Sequence, residues 1–296
     1  MNVSVDGAFV YFTLPIFGGI PITQTAVSSF VVTALLVIAC IRLGKNLQKR
    51  PSGTQVLVEK GVSMIYNLTV SAMGEHNAHW APFMGTLFLS SIFGSLIGMT
   101  GFLRSVTADL SCTLTWSLMV TALIWYHNIK NNGFFGWLKG FTEPIVVMTP
   151  MNIVSEIAQP VSMAFRHFGN VAGGGVITSI IYTAFSLVSA LVLNAIASAG
   201  WLMGAALMAA GVGLWLLGSK KKKLIVKILA AVSFVLGLFG LLQAAGILSG
   251  VPVLALGVPA LLSVYFDVFS GFVQALVFTL LSMVYIAGAC PPKQEQ

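Results

Sequence analysis

Charge is what this sequence has least of. Only 8% of its 296 residues are Asp, Glu, Lys or Arg, against about a quarter in soluble proteins, which excludes an ordinary water-soluble domain. Cysteine is scarce as well. Cys40, Cys112 and Cys290 are odd in number, lack metal or redox spacing and lie in or beside apolar segments, so they read as small hydrophobic side chains rather than a disulfide framework. The Gly173-Gly174-Gly175 run has no Gly-Lys-Ser/Thr after it, which removes a phosphate-binding loop. Glu75-His76-x-x-His79 has ligand spacing but no further ligand cluster. No cofactor and no metal is therefore expected. The first twenty residues hold no Lys or Arg and no small-residue cleavage site, so no secretory signal peptide is expected.

Apolar sequence takes the place of all this. Hydrophobic residues make up 57% of the chain, arranged in runs long enough to span a bilayer, which needs about twenty such residues. Fifteen Lys and Arg against eight Asp and Glu give a net charge of +7. The basic residues cluster between the apolar runs, a topology signal rather than a nucleic-acid surface.

The expected fold is an all-α polytopic membrane protein whose divisions follow the runs. Residues 1–53 form an outer amino terminus, a first span over 21–41 and a basic end at Arg42, Lys45, Lys49 and Arg50. Residues 54–80 mix Glu59 and Lys60 with Val58, Val62, Ile65 and Leu68, as suits a helix lying at the membrane surface. Residues 81–143 hold two spans, 82–103 and 109–126, and a loop over 128–143. Within 144–199 the nearly continuous apolar stretch 150–198 is too long for one perpendicular helix: at about 1.5 Å per residue it would reach roughly 70 Å, so it must tilt, bend or break, with Pro160 and the glycines from 169 to 175 as the places to look. Residues 200–250 read as a helical hairpin with Lys220-Lys221-Lys222-Lys223 at its tip, and 251–296 as a second overlong helix with a short tail. With the amino terminus outside and the carboxyl terminus inside, thirteen of the fifteen basic residues fall near the cytoplasm, all but Arg104 and Arg166.

Arg166 is the costly residue. An arginine at the centre of a spanning helix costs about 2.5 to 3.5 kcal/mol on insertion scales, which marks it as functional. Ser162, Arg166 and Asn170 are four apart, share one helix face, and are preceded one turn earlier by Gln159. Arginine stays protonated wherever it is placed, so it supplies a fixed positive charge and no proton transfer. His167 is rotated about 100° from it, which favours packing or a local hydrogen bond over a relay. The last run carries a matching stripe of Ser263, Asp267, Ser270 or Gly271, and Gln274. Asp267 is either a proton-access residue or a partner in an interhelical ion pair or hydrogen bond.

Pro160-Val161-Ser162-x-x-x-Arg166-x-Phe168-Gly169-Asn170 resembles the Arg-bearing helix of subunit a of rotary F-type ATP synthases, and Gln274-Ala275-x-x-Phe278 through Tyr285 resembles its last helix. Thr107-Ala108-Asp109-Leu110-Ser111-x-Thr113-Leu114 and Pro150-Met151-Asn152-Ile153 extend the likeness, over residues 20–198 and 251–290. The resemblance implies two long, steeply tilted helices facing a rotating c-ring, with subunit b of the stator and the remaining ATP synthase subunits as further partners, in a bacterial cell membrane. It implies two offset ion half-channels and no catalytic centre in this chain. Arg166 would displace the ion from each incoming ring carboxylate and block leakage, with Asn170 and Gln274 positioning it. Glu156, ten residues earlier and so about 15 Å nearer the cytoplasm, would line the inner half-channel. Asp267 and Asp109 would lie toward the outer one.

The sequence departs from that family in places. Gly175 stands where an ionisable residue is common, Ser111 where Asn is usual, and the stretch 97–104 lacks acidic loop residues. The hairpin over 200–250 lies outside the family core; it packs on the stator, binds anionic lipid through its tip, or is a passive insertion. The competing function is a secondary transporter holding an anionic substrate on Arg166, although no internal repeat of the kind such transporters show is visible.

Overall fold

The computed structural model describes residues 9–15, 19–45, 47–50, 52–221, 224–245, 262 and 264–292. It is built almost wholly of helices: α1 Gln24–Gly44, α2 Thr54–Met73, α3 Ala81–Leu96, α4 Leu110–Gly140, α5 Thr149–Ser198, α6 Trp201–Lys221, α7 Leu224–Ala244 and α8 Gly271–Ala289. Among the described residues, six stretches are long and apolar enough to cross a membrane, at 24–44, 75–100, 146–196, 201–218, 224–244 and 268–289. The protein is an all-α polytopic membrane protein. The α4 helix, laced with Ser and Thr, is not among the six.

Two compact units divide the chain. The first comprises Ser4–Gly175 with Val264–Gln296 and the second Val176–Ser263. In the first, a β-hairpin of Val10–Leu14 (β1) and Ile20–Thr23 (β2) precedes α1. Sequence reading gave no strand there, because an apolar run beside a span has no distinguishing period. Thr23 ends the hairpin and caps α1, its hydroxyl accepting from the Ala26 amide at 3.3 Å. The core of this unit joins Met73 of α2, Met84 and Leu87 of α3, Val120 and Ile124 of α4, Met163 of α5, and Phe278, Met283 and Ile286 of α8. Burying one such side chain contributes about 1.5–3 kcal/mol relative to water. In lipid the gain comes instead from close packing of the helices.

One expectation about an element end is corrected, and of the tilt, bend or break expected of α5 the break is not the one taken. The stretch 128–143 is not a loop: α4 continues to Gly140 with one break at Gly133, whose φ of 70° and ψ of 164° leave the helical region. Its polar residues find partners on neighbouring helices, Asn131 Nδ2 donating to the Ala289 carbonyl of α8 at 2.8 Å. Nor is α5 broken. It runs fifty residues without interruption through Pro160 and the glycines, about 75 Å of helix at 1.5 Å per residue. Pro160 removes one backbone donor, and neighbouring helices commonly compensate such sites within a bilayer. The carbonyl left without its donor is that of Glu156; Ser117 of α4 donates its hydroxyl to the Pro160 carbonyl at 2.6 Å instead, which ties the two helices at this turn without replacing the lost bond.

The last helix is fixed at its carboxyl-terminal end and irregular at its beginning. Asn77 Nδ2 donates to the Cys290 carbonyl at 3.0 Å, and His76 Nε2 lies 3.0 Å from the same oxygen. With Asn131 these side chains satisfy carbonyls that a helix end leaves without backbone donors. Before Gly271 the chain forms a turn of π-helix over Tyr265–Ser270, a rare conformation that recurs at functional sites.

The second unit contains the α6–α7 hairpin. Its helices approach closely because glycines face backbone: a Cβ at Gly211 would lie 2.7 Å from the Phe234 nitrogen, and one at Gly237 would lie 2.6 Å from the Met208 nitrogen. Ser233 Oγ donates to the Leu207 carbonyl at 2.9 Å, and Gln243 Nε2 to Asn194 Oδ1 at 2.6 Å. Of the lysine tip, Lys222 and Lys223 lie outside the described residues, as do the side chains of Lys220 and Lys221.

Candidate functional site

The centre of α5 has two contrasting faces. Pro160, Met163, Ala164, His167, Val171 and Gly174 are buried, at the three- and four-residue spacing that makes one helical stripe. Ser162, Arg166 and Asn170 are exposed on the other side with Phe165 and Gly169. The buried stripe sets the rotation of the helix, and that rotation turns the guanidinium outward. Among the described side chains none hydrogen-bonds or ion-pairs with Arg166, so its charge is presented to whatever lies against this face.

Asn170 links that face to α8. Its Nδ2 donates to Gln274 Oε1 at 2.7 Å, and Gln274 is buried. The two polar stripes read from the sequence therefore meet at this pair, one helical turn beyond Arg166. Close approach here needs a small residue: a Cβ at Gly174 would lie 3.1 Å from Phe266 in the π turn, whereas one at Gly175 would meet nothing within 4 Å. The position lacking the ionisable residue is thus open rather than filled. Ser263 and the side chain of Asp267 lie outside the described residues; the backbone of Asp267 belongs to the π turn.

Behind Arg166, His167 is fully buried, with Nε2 3.1 Å from Ser91 Oγ of α3. Its ring stands edge-to-face against Trp116 of α4 and Phe278 of α8 at 6.3 and 5.5 Å between centroids. Of the two outcomes expected for it, packing or a local hydrogen bond, the ring shows packing, and its hydrogen bond goes to a neighbouring helix.

Glu156 lines a polar pocket of about 400 Å³ together with Asn128, Asn132, Glu143, Asn152 and Ser155. Its Oε1 accepts from the Trp125 indole at 2.6 Å, a partner that nothing in the sequence spacing indicates. Asn152 holds the pocket's rim, donating to the carbonyls of Phe141 at 2.8 Å and Glu143 at 3.1 Å. Asp109 takes a different part. It is the N-cap of α4, Oδ1 accepting from the Ser111 amide at 2.9 Å, while Oδ2 accepts from the Thr25 hydroxyl of α1 at 2.6 Å. Both its oxygens are engaged, one in capping α4 and the other in joining it to α1. The structure thus brings Asn170 and Gln274 together beside Arg166 and leaves Glu156 and Asp109 at separate places.

Comparison with known proteins gives a consistent result. The family described as ATP synthase A chain matches residues 26–217. That match runs into α6 and leaves the last helix uncovered. A sodium ion specific ATP synthase subunit a from Propionigenium modestum is 27% identical over 286 residues, covering 92% of this chain and 75% of that protein. An ATP synthase subunit a from Limosilactobacillus reuteri is 31% identical over 178 residues, covering 57% and 76%. One from Moorella thermoacetica is 27% identical over 165 residues, covering 56% and 76%.

Proposed function

Because the chain belongs to the ATP synthase A chain family, we propose that it is the stationary membrane subunit that couples ion translocation to rotation of a c-ring. The observation that carries the reading is the outward Arg166, one turn from the Asn170–Gln274 hydrogen bond. A fixed cation on an exposed face inside a membrane helix is unfavourable alone. A succession of ring carboxylates passing that face would neutralise it, each only briefly. Arginine stabilises the ionised carboxylate and cannot accept its proton, so it separates the two half-channels without bridging them.

In this reading Asn170 and Gln274 hold the local geometry, and Ser162 leaves room for the approaching ring. The pocket around Glu156 is the inner half-channel, its two carboxylates and amide side chains attracting cations from the cytoplasm. Asp267 and Asp109 lie toward the outer half-channel. The amino terminus is outside and the carboxyl terminus cytoplasmic, in a bacterial cell membrane. Subunit b and the remaining ATP synthase subunits complete the assembly, and the α6–α7 hairpin either packs against that stator or contacts anionic lipid. The transporter reading is not favoured by family membership.

Extraction in mild detergent followed by mass spectrometry of bound proteins tests the assignment. Small c-type proteins and soluble ATPase subunits should accompany the chain; recovery as a stable monomer without them would refute it.

A further inference from the structure

Trp125 has no part in the translocation roles given to Arg166, Asn170 and Glu156, yet it touches one of them. It stands on α4 before the break at Gly133, and its indole nitrogen donates to Glu156 Oε1 at 2.6 Å. The ring is held from another side. Trp137, beyond the break, lies 6.1 Å from it between centroids and meets the Phe141 ring edge-to-face at 5.2 Å. The Phe141 carbonyl then accepts from Asn152 Nδ2 at 2.8 Å, and Asn152 stands one turn before Glu156 on α5. These contacts close a circuit that runs from Glu156 through Trp125, Trp137, Phe141 and Asn152 back to Glu156. Trp137, Phe141, Asn152 and Glu156 line the polar pocket of about 400 Å³, whereas Trp125 does not. It supports the pocket from outside the lining.

We propose that Trp125 is a positioning residue for ion entry at the inner half-channel: by holding one oxygen of Glu156 and bracing the wall beyond Gly133, it fixes the bearing of the carboxylate that meets the incoming cation. The inference rests on the assignment of this pocket to the ion path. An indole N–H donates and offers no acceptor, so Oε1 is committed to accepting. Among the described residues Oε2 has no hydrogen-bond partner, and it is the oxygen left for a cation. A glutamate without such a restraint is spread over several rotamers, and its charge would face the pocket only part of the time. The restraint also crosses the weak point of α4. Gly133 leaves the helical region at φ 70° and ψ 164°, so the backbone alone does not fix how the segment carrying Trp137 and Phe141 lies against α5; the circuit through Trp125 does.

The test is ATP-driven pumping by the whole complex in inside-out vesicles, where the cytoplasmic face meets the medium and the concentration of the entering cation is set. Uptake is followed with a pH-sensitive dye and with radioactive sodium, and the ion that the unaltered complex pumps is titrated. Trp125→Phe keeps a ring for Trp137 and removes the N–H. The concentration for half-maximal pumping should rise about fivefold, the scale of one net hydrogen bond, with the maximal rate unchanged. Glu156→Ala should raise it at least as far, and adding Trp125→Phe to that variant should change nothing more, because no carboxylate is left to hold. A ring that only packs would add its cost in either background. An unchanged half-saturation in Trp125→Phe, a fall in maximal rate alone, or full additivity in the double variant would overturn the proposal. If Trp125→Phe does not assemble with the c-ring, Trp125→Tyr takes its place, and failure of both would assign Trp125 to packing and overturn it as well. Half-saturation that does not respond to Glu156→Ala would instead remove the pocket from the ion path, and the inference with it.

Discussion

Asn170, exposed on α5, donates to Gln274, buried in α8, across 2.7 Å. The pair joins the two helices one turn beyond the arginine and leaves the buried amide with its acceptor satisfied. Gln274→Leu should leave Asn170 without this partner. A net hydrogen bond contributes about 0.5–1.5 kcal/mol, so ATP-driven pumping should fall severalfold, with Gln274→Glu, which keeps an acceptor, retaining more. Pumping assays on both variants decide this; equal behaviour of Leu and Glu would separate the contact from function.

Arg166→Ala should abolish coupled ATP synthesis and permit passive leak, because in the proposed mechanism this fixed charge is what separates the half-channels. Arg166→Lys should recover little, since the ammonium is a compact, strongly hydrated charge without the planar fork. Synthesis measured in energised vesicles together with proton leak provides the check, and normal ATP-driven pumping by the alanine variant would exclude the role.

Adjacent glycines should respond in opposite ways. Gly174→Ala brings a methyl group to 3.1 Å from Phe266, and overpacking of this kind costs about 1–3 kcal/mol. Gly175→Glu enters open space and should assemble. Thermal stability of the purified complexes distinguishes them, the alanine variant melting lower and the glutamate variant near the parent.

Asp109→Ala removes both an N-cap and the acceptor of the Thr25 hydroxyl. Loss of a cap costs about 0.5–2 kcal/mol, so the melting temperature should drop. Asp109→Asn retains cap geometry and an oxygen acceptor and should be close to the parent. If Asn pumped as poorly as Ala while both remained assembled, Asp109 would have to be counted as an ion-path residue.

Orientation has a chemical test. In a background with Cys40, Cys112 and Cys290 changed to Ser, Gln296→Cys should react with a membrane-impermeant maleimide in inside-out vesicles and stay unlabelled in right-side-out ones. Asn2→Cys should show the reverse pattern. Labelling of both positions from one side would overturn the assigned topology.

The parts of the fold that depend on hydrophobic length were legible in the sequence. Helices α1, α2, α6 and α7 stand close to where apolar runs and basic stops placed them, and the Ser162-Arg166-Asn170 face follows from a spacing of four. What escaped depended on distant partners. Residues 128–140 look like a loop by their Asn, Lys and Gly content, yet Asn131 reaches α8. Pro160 reads as a place for α5 to break, yet the helix runs through it and is tied there to α4 by the Ser117 hydroxyl. The π turn over Tyr265–Ser270 has no sequence period of its own. The indole of Trp125 meets Glu156 only because α4 and α5 run side by side.

The capped carboxyl-terminal end of α8 has a metric consequence. Asn131, His76 and Asn77 hold the carbonyls of Ala289 and Cys290, so the helix is measured from that end, and Gln274 stands about 24 Å up the axis from Cys290 at 1.5 Å per residue. Deleting one residue between them would lower the amide by about 1.5 Å and swing it through about 100°, out of reach of Asn170. This carboxyl-terminal anchor thus works as a datum for the depth and bearing of the polar pair beside Arg166, and any slack in the helix is left to the π turn at the opposite end.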